Sequence, residues 1–168
     1  MRHSFTAILS LCTAALLAAP AMAQEITEDV LVFERGLWTV SRVAMDDGTR
    51  YCVAEVVSDN AWVTIWIEQD GTTGIEFNSE DWGYDISTET FVATIDNRRG
   101  RNLANPDISG NSVYFHLPDD KTSIAFLGEV RDGRELYLNN KQGELIAKFP
   151  LTGSSASIGA VVDCVDRL

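Results

Sequence analysis

The chain has 168 residues, of which 13 are basic and 25 acidic, for a formal net charge of −12. A surface this negative repels phosphate backbones and anionic lipid, which argues against nucleic acid and membrane surfaces and in favour of a protein partner, a basic one above all. The acids are scattered rather than gathered in one block, so solubility alone accounts for most of them.

Arg2 and His3 precede an uncharged apolar stretch over 5–17, and Ala21 and Ala23 place small side chains around Met22, which is the layout of a secretory signal peptide. The stretch is shorter than the roughly 20 apolar residues that span a bilayer. Cleavage after Ala23 is therefore expected, with no membrane insertion afterwards. Cys12 follows Leu11 inside the apolar run, where a lipoprotein would not carry its cysteine, and it leaves with the signal. One base and no acid depart, moving the charge from −12 to −13. Residues 24–168 then make one periplasmic or secreted domain, long enough for a single core.

Short alternating segments with Asp-Gly turns follow, the pattern of antiparallel strands. Strands over 37–43 and 51–57 meet at Asp46-Asp47-Gly48, and the second puts Cys52, Ala54 and Val56 on one face. Over 62–68, Val63, Ile65 and Ile67 alternate with Trp62, Thr64 and Trp66, and Asp70-Gly71 turns the chain toward a strand at 75–77. Strands at 91–95 and 113–117 flank a polar stretch, 98–107, whose Asn105-Pro106 marks a surface loop. Over 119–130, Ile124, Leu127 and Val130 recur at helical intervals behind Asp119 or Asp120 as cap. Asp132-Gly133 leads into a hairpin of 135–138 and 145–149. Finally, Ile158, Val161, Val162 and Val165 form one apolar stripe, which predicts a helix over 156–166 with Ser154 or Ser155 as its N-cap.

Cleavage leaves two cysteines, Cys52 and Cys164, and an even count in an exported chain reads first as a disulfide. Closing a loop of about 110 residues stabilises by roughly 4–5 kcal/mol in chain entropy. The pair lacks the Cys-x-x-Cys spacing of redox sites, so the bond reads as a staple that docks the last helix on the sheet. The fold class is mainly β (α+β): an antiparallel β-sandwich or partly open barrel, with a short internal helix and a C-terminal helix packed on the sheet.

Catalytic groups are scarce. His116 is the one histidine beyond residue 23, and within a strand it reads as a hydrogen-bonded structural residue; a Ser-His-Asp triad has no other to use, and a Cys-His dyad has no free thiol. No ligand spacing suggests zinc or calcium and no glycine-rich motif suggests a phosphate site, so neither metal nor cofactor is expected. The acid pairs Asp46-Asp47, Glu80-Asp81 and Asp119-Asp120 would suit a glycosidase only across a cleft. At turns and helix starts they serve backbone donors instead.

Two groups are candidates for a contact surface. Trp62 and Trp66 share a strand face and, with Trp82, would make a sugar or protein platform if exposed; a strand apolar on both faces is more often covered on both, here by the C-terminal helix. Arg98, Arg99 and Arg101 either receive an anionic ligand or, the commoner case, pair with local acids.

Trp38-Thr39-Val40 leading to Tyr51-Cys52, and the ending Phe149-Pro150-Leu151-Thr152-Gly153-Ser154 before a helix, resemble small exported proteins of the invasion-associated locus B family. The likeness lies in the order of elements: a Trp-x-Val strand leading to a cysteine, then a helix, a hairpin and a Leu-x-Gly turn into a last helix. Ser41 and Ser154 stand where that family carries a cysteine and an aromatic. The resemblance implies a non-enzymatic periplasmic or surface protein and carries over no functional residue. The expected function is therefore non-catalytic contact with a macromolecule, a protein first. The alternatives are inhibition of a basic, lysozyme-like wall hydrolase and binding of a carbohydrate or other small ligand.

Overall fold

A computed structural model describes residues 24–82, 90–103, 105–118 and 121–168. The expected signal peptide and the acid pair Asp119-Asp120 lie outside them. The strands are β1 (Ile26–Arg35), β2 (Trp38–Met45), β3 (Arg50–Ser58), β4 (Ala61–Glu68), β5 (Thr73–Ser79), β6 (Phe91–Ile95), β7 (Arg101–Leu103), β8 (Asp107–Ser109), β9 (Ser112–Leu117), β10 (Glu135–Asn140) and β11 (Leu145–Pro150), with helices α1 (Lys121–Asp132) and α2 (Ser154–Val165). All pairings are antiparallel, in a seven-stranded sheet ordered β1-β2-β3-β4-β5-β9-β8 and a four-stranded sheet ordered β11-β10-β6-β7. Neither sheet closes on itself, so the architecture is the sandwich rather than the barrel.

The turns form for the reasons the Asp-Gly pairs suggest. Gly48 and Gly71 adopt φ of 88° and 90°, which glycine takes without a Cβ penalty. Asp47 and Asp70 each accept a backbone N–H two residues on, from Thr49 and Thr72, at 2.8 Å. Those bonds hold both carboxyls below the usual range.

Alternation then sorts the side chains. Trp38, Val40, Cys52, Ala54, Val56, Val63, Ile65, Ile75 and Phe77 point to one side of the large sheet and are fully buried. They meet Phe91, Leu136, Leu138 and Phe149 of the small sheet in one cluster, with Phe77 and Phe149 rings 5.8 Å apart. Helix α2 covers the rest of that side, lying against β1 to β4 and touching α1. Cys52 in β3 is bonded to Cys164 in the last turn of α2.

Several expectations need correction. Strand β1 was not expected, because it lies at the sheet edge and is exposed at nearly every position, so burial imposes no alternation on its sequence. The expected loop 98–107 contains β7 and the start of β8, each three residues long and too short for a periodic signal. In α1 the inward residues are Ser123, Phe126 and Val130, whereas Ile124 faces out. In α2 the buried side is Ser154, Ser157, Val161 and Cys164, with Val162 exposed. Small serines here let the helix sit close to its neighbours.

Neither Ser154 nor Ser155 caps that helix. Gly153 holds the N-cap position at φ 105°, and the Ser154 hydroxyl turns inward to donate to the Val130 carbonyl at 2.8 Å. The turn is built on close approach, since a Cβ on Gly153 would lie 2.6 Å from the Arg35 carbonyl oxygen. The Trp38 indole N–H donates to the Pro150 carbonyl at 3.2 Å. The Trp-x-Val strand and the Leu-x-Gly turn, far apart in sequence, thus form one joint.

Candidate binding face on the seven-stranded sheet

The other side of the large sheet carries the second set of alternating residues. Register aligns them in rows: Val53, Trp66, Gly74 and His116 across β3, β4, β5 and β9, and beside it Glu55, Thr64, Glu76 and Tyr114. The next row outward runs Val57, Trp62, Asn78 and Ser112. Apart from Gly74, the first two rows line, with Tyr51 and Trp62, an open groove of about 770 Å³ whose remaining walls, among the described residues, come from the same sheet and from Gln24 and Thr49 beside it. Trp62 and Trp66 are half-buried. Helix α2 lies on the opposite side, so the expectation that it covers the tryptophans is wrong: the strand is apolar on both faces, yet no other described element covers the face that carries the tryptophans.

Gly74 explains how Trp66 lies. With no side chain at that position, the indole settles over the glycine, where a Cβ would overlap its six-membered ring. The ring then meets His116 edge-on at 5.3 Å between centroids. His116 is not the hydrogen-bonded structural histidine expected; its side chain is 62% exposed, with Nε2 3.8 Å from Asp107. A strand position facing away from the core needs no buried partner.

The face is acidic. Asp29, Glu55, Glu68, Glu76 and Asp107 line the groove, and among the described residues no lysine or arginine does. Burial pushes the Glu55 carboxyl up, against a Thr64 hydroxyl that donates to it at 3.4 Å, and the charges of Glu76 and Asp29 push the same way as burial. Burial followed by the charge of Glu76 raises the phenols of Tyr51 and Tyr114, keeping both protonated as donors. Among the described residues no three of the acids, histidines and cysteines converge as metal ligands do.

The remaining candidate residues lie elsewhere. Trp82 follows β5 and is half-buried beside a different groove of about 720 Å³, with Asp81, Leu145 and Lys148. Arg98 and Arg99 are exposed in the turn after β6. Arg101 pairs with Glu129 at 2.6 Å, its guanidinium 5.8 Å from the Phe126 ring, which is the local ion pair anticipated for it. The structure therefore brings together Trp62 and Trp66 but neither Trp82 nor the arginines. The acid pairs also serve structure where described: Asp47 holds its turn and Asp81 accepts from Asn60.

No family model, curated protein or solved structure matches this chain. The site is thus defined by its own geometry. Sequence reading missed Tyr51, Glu55, Glu76 and Tyr114, although each alternates with a core residue (Cys52, Ala54 or Val56; Ile75 or Phe77; Val113 or Phe115) and so had to face away from the core.

Proposed function

We propose that this is an exported, non-catalytic protein that works outside the cytoplasm by holding a macromolecular partner, a protein first, on the open face of its large sheet. One observation carries the reading: tryptophan and tyrosine side chains gather over a groove that no other described element covers, while the opposite side of the central strands packs the hydrophobic core. Tryptophan and tyrosine left partly accessible in a groove are characteristic of interaction sites. Quantitative capture from periplasmic extract tests it, with oxidised wild type and a Trp62→Ala/Trp66→Ala variant as baits. A partner retained by wild type and lost by the variant supports the reading, provided both show the same folded circular dichroism. Equal retention would refute it.

A glycan is the second reading. Trp62 and Trp66 stand four residues apart on β4, roughly 13 Å, a spacing that offers two sugar platforms. Glu55, with its raised pKa, and Glu76 flank Thr64 from adjacent strands, the kind of carboxylate pair a glycosidase requires. A shift of tryptophan fluorescence across a glycan panel would favour binding, and release of reducing ends would make the protein an enzyme.

A further inference from the structure

We infer that the open face takes an extended, arginine-bearing segment of a basic protein, with guanidinium groups over Trp62 and Trp66 and paired to Glu55 and Glu76. This rests on the face being the working surface, as proposed above, and adds the chemistry of what it holds.

The sign of the field comes first. Asp29, Glu55, Glu68 and Glu76 have no ion-pair partner among the described residues, whereas the chain commits basic groups elsewhere: Arg42 to Glu28, Arg101 to Glu129, Arg131 to Asp132 and Lys148 to Glu135. Glu55, Glu68 and Glu76, half-buried near low-dielectric indole walls, act on a ligand more strongly than the same charges in open water. The indole faces add to the same preference, since their negative quadrupole attracts cations. Arginine fits this combination better than lysine: its plane stacks on aromatic rings, its fork pairs bidentately with carboxylate, and it is more weakly hydrated.

The dimensions favour a polypeptide over a small cation. The groove reaches all seven strands from β1 to β8, about 29 Å across at the usual strand spacing, which is wider than a small cation needs. Extended chain places residues i and i+4 roughly 13 Å apart, which is the separation of Trp62 and Trp66 along β4. Arginines at alternate positions of such a segment would reach both rings and the carboxylates between them.

The test uses fluorescence anisotropy of a labelled Gly-Arg-Gly-Arg-Gly-Arg-Gly peptide with the oxidised, signal-processed protein. A matched peptide with citrulline, the uncharged isostere, should bind at least about tenfold more weakly, and Glu55→Gln/Glu76→Gln should weaken the arginine peptide by a similar factor. Asp163→Asn/Asp166→Asn changes net charge equally on exposed positions of the distant helix end and should leave affinity within about twofold. Equal binding of the citrulline peptide would overturn the inference because the cation would then not be what the face recognises, and equal loss in the helix variant would overturn it because net charge alone would then explain the attraction. Displacement by spermidine as effective as by the peptide would also overturn it, placing a small cation there. If the arginine peptide fails while Trp62→Ala/Trp66→Ala still loses captured partner, only the cationic segment is refuted and the working face stands.

Discussion

Replacing both cysteines of the Cys52–Cys164 bond by alanine should remove a large part of the protein's stability. The cross-link joins positions 112 residues apart, for which the loop-entropy relation gives about 4.8 kcal/mol at room temperature. Both sulfurs are buried, so truncation adds a smaller packing loss. Domains are typically stable by only 5–15 kcal/mol, and the variant should therefore be marginal. Urea unfolding followed by tryptophan fluorescence measures this: the midpoint should fall steeply, and the slope should rise because the unfolded chain is no longer held in a loop. Hydrogen exchange should locate the weakening at α2, which keeps only its packing on β1 to β4 and α1 once the bond is gone. A double variant within about 1 kcal/mol of the oxidised protein, with an unchanged slope, would refute the loop-entropy argument.

Other consequences are more local. Gly153→Ala puts a side chain at φ 105° against the Arg35 carbonyl and should cost about 1–3 kcal/mol by the same urea assay. Gly74→Ala should displace the Trp66 ring, removing the ring-current shift that the indole imposes on His116 in proton spectra, while the melting temperature changes little because the ring can swing into solvent. Glu55 takes up a proton more readily in the folded than in the unfolded state, so wild type loses stability as pH rises from the ordinary glutamate range through the raised value. Glu55→Gln should therefore melt about 1–3 °C higher at neutral pH, with the gain absent well below the ordinary glutamate range.

What the sequence revealed depended on how strongly burial imposed a pattern. Where one face of a strand meets the core, as in Cys52, Ala54 and Val56, period-two alternation was legible and the hairpins followed from it. In β1, with an exposed edge, and in β7 and β8, with three residues each, burial leaves no such mark. Helix α2 was found, but its inward side was misjudged because serines 154 and 157 occupy positions where close approach matters more than apolar area. The cap was misread for a related reason: sequence shows that serine can cap, but not that Val130 offers its carbonyl across the fold.

The candidate site was half legible. Trp62 and Trp66 were recognisable as one face, yet whether that face is open depends on which side the helix chooses, and Cys164 fixes that choice through Cys52 on the other side of the sheet. Glu55 and Glu76 join the tryptophans only through strand register, which no local pattern encodes.

Site-specific photo-crosslinking in cells tests the central claim most directly. A benzophenone amino acid in place of Tyr114, on the open face, should give a discrete covalent adduct with a partner, and the same group in place of Asp163, on α2, should give none. Equal adducts from both positions, or an adduct from Asp163 alone, would contradict the account and move the working surface to the other side of the molecule.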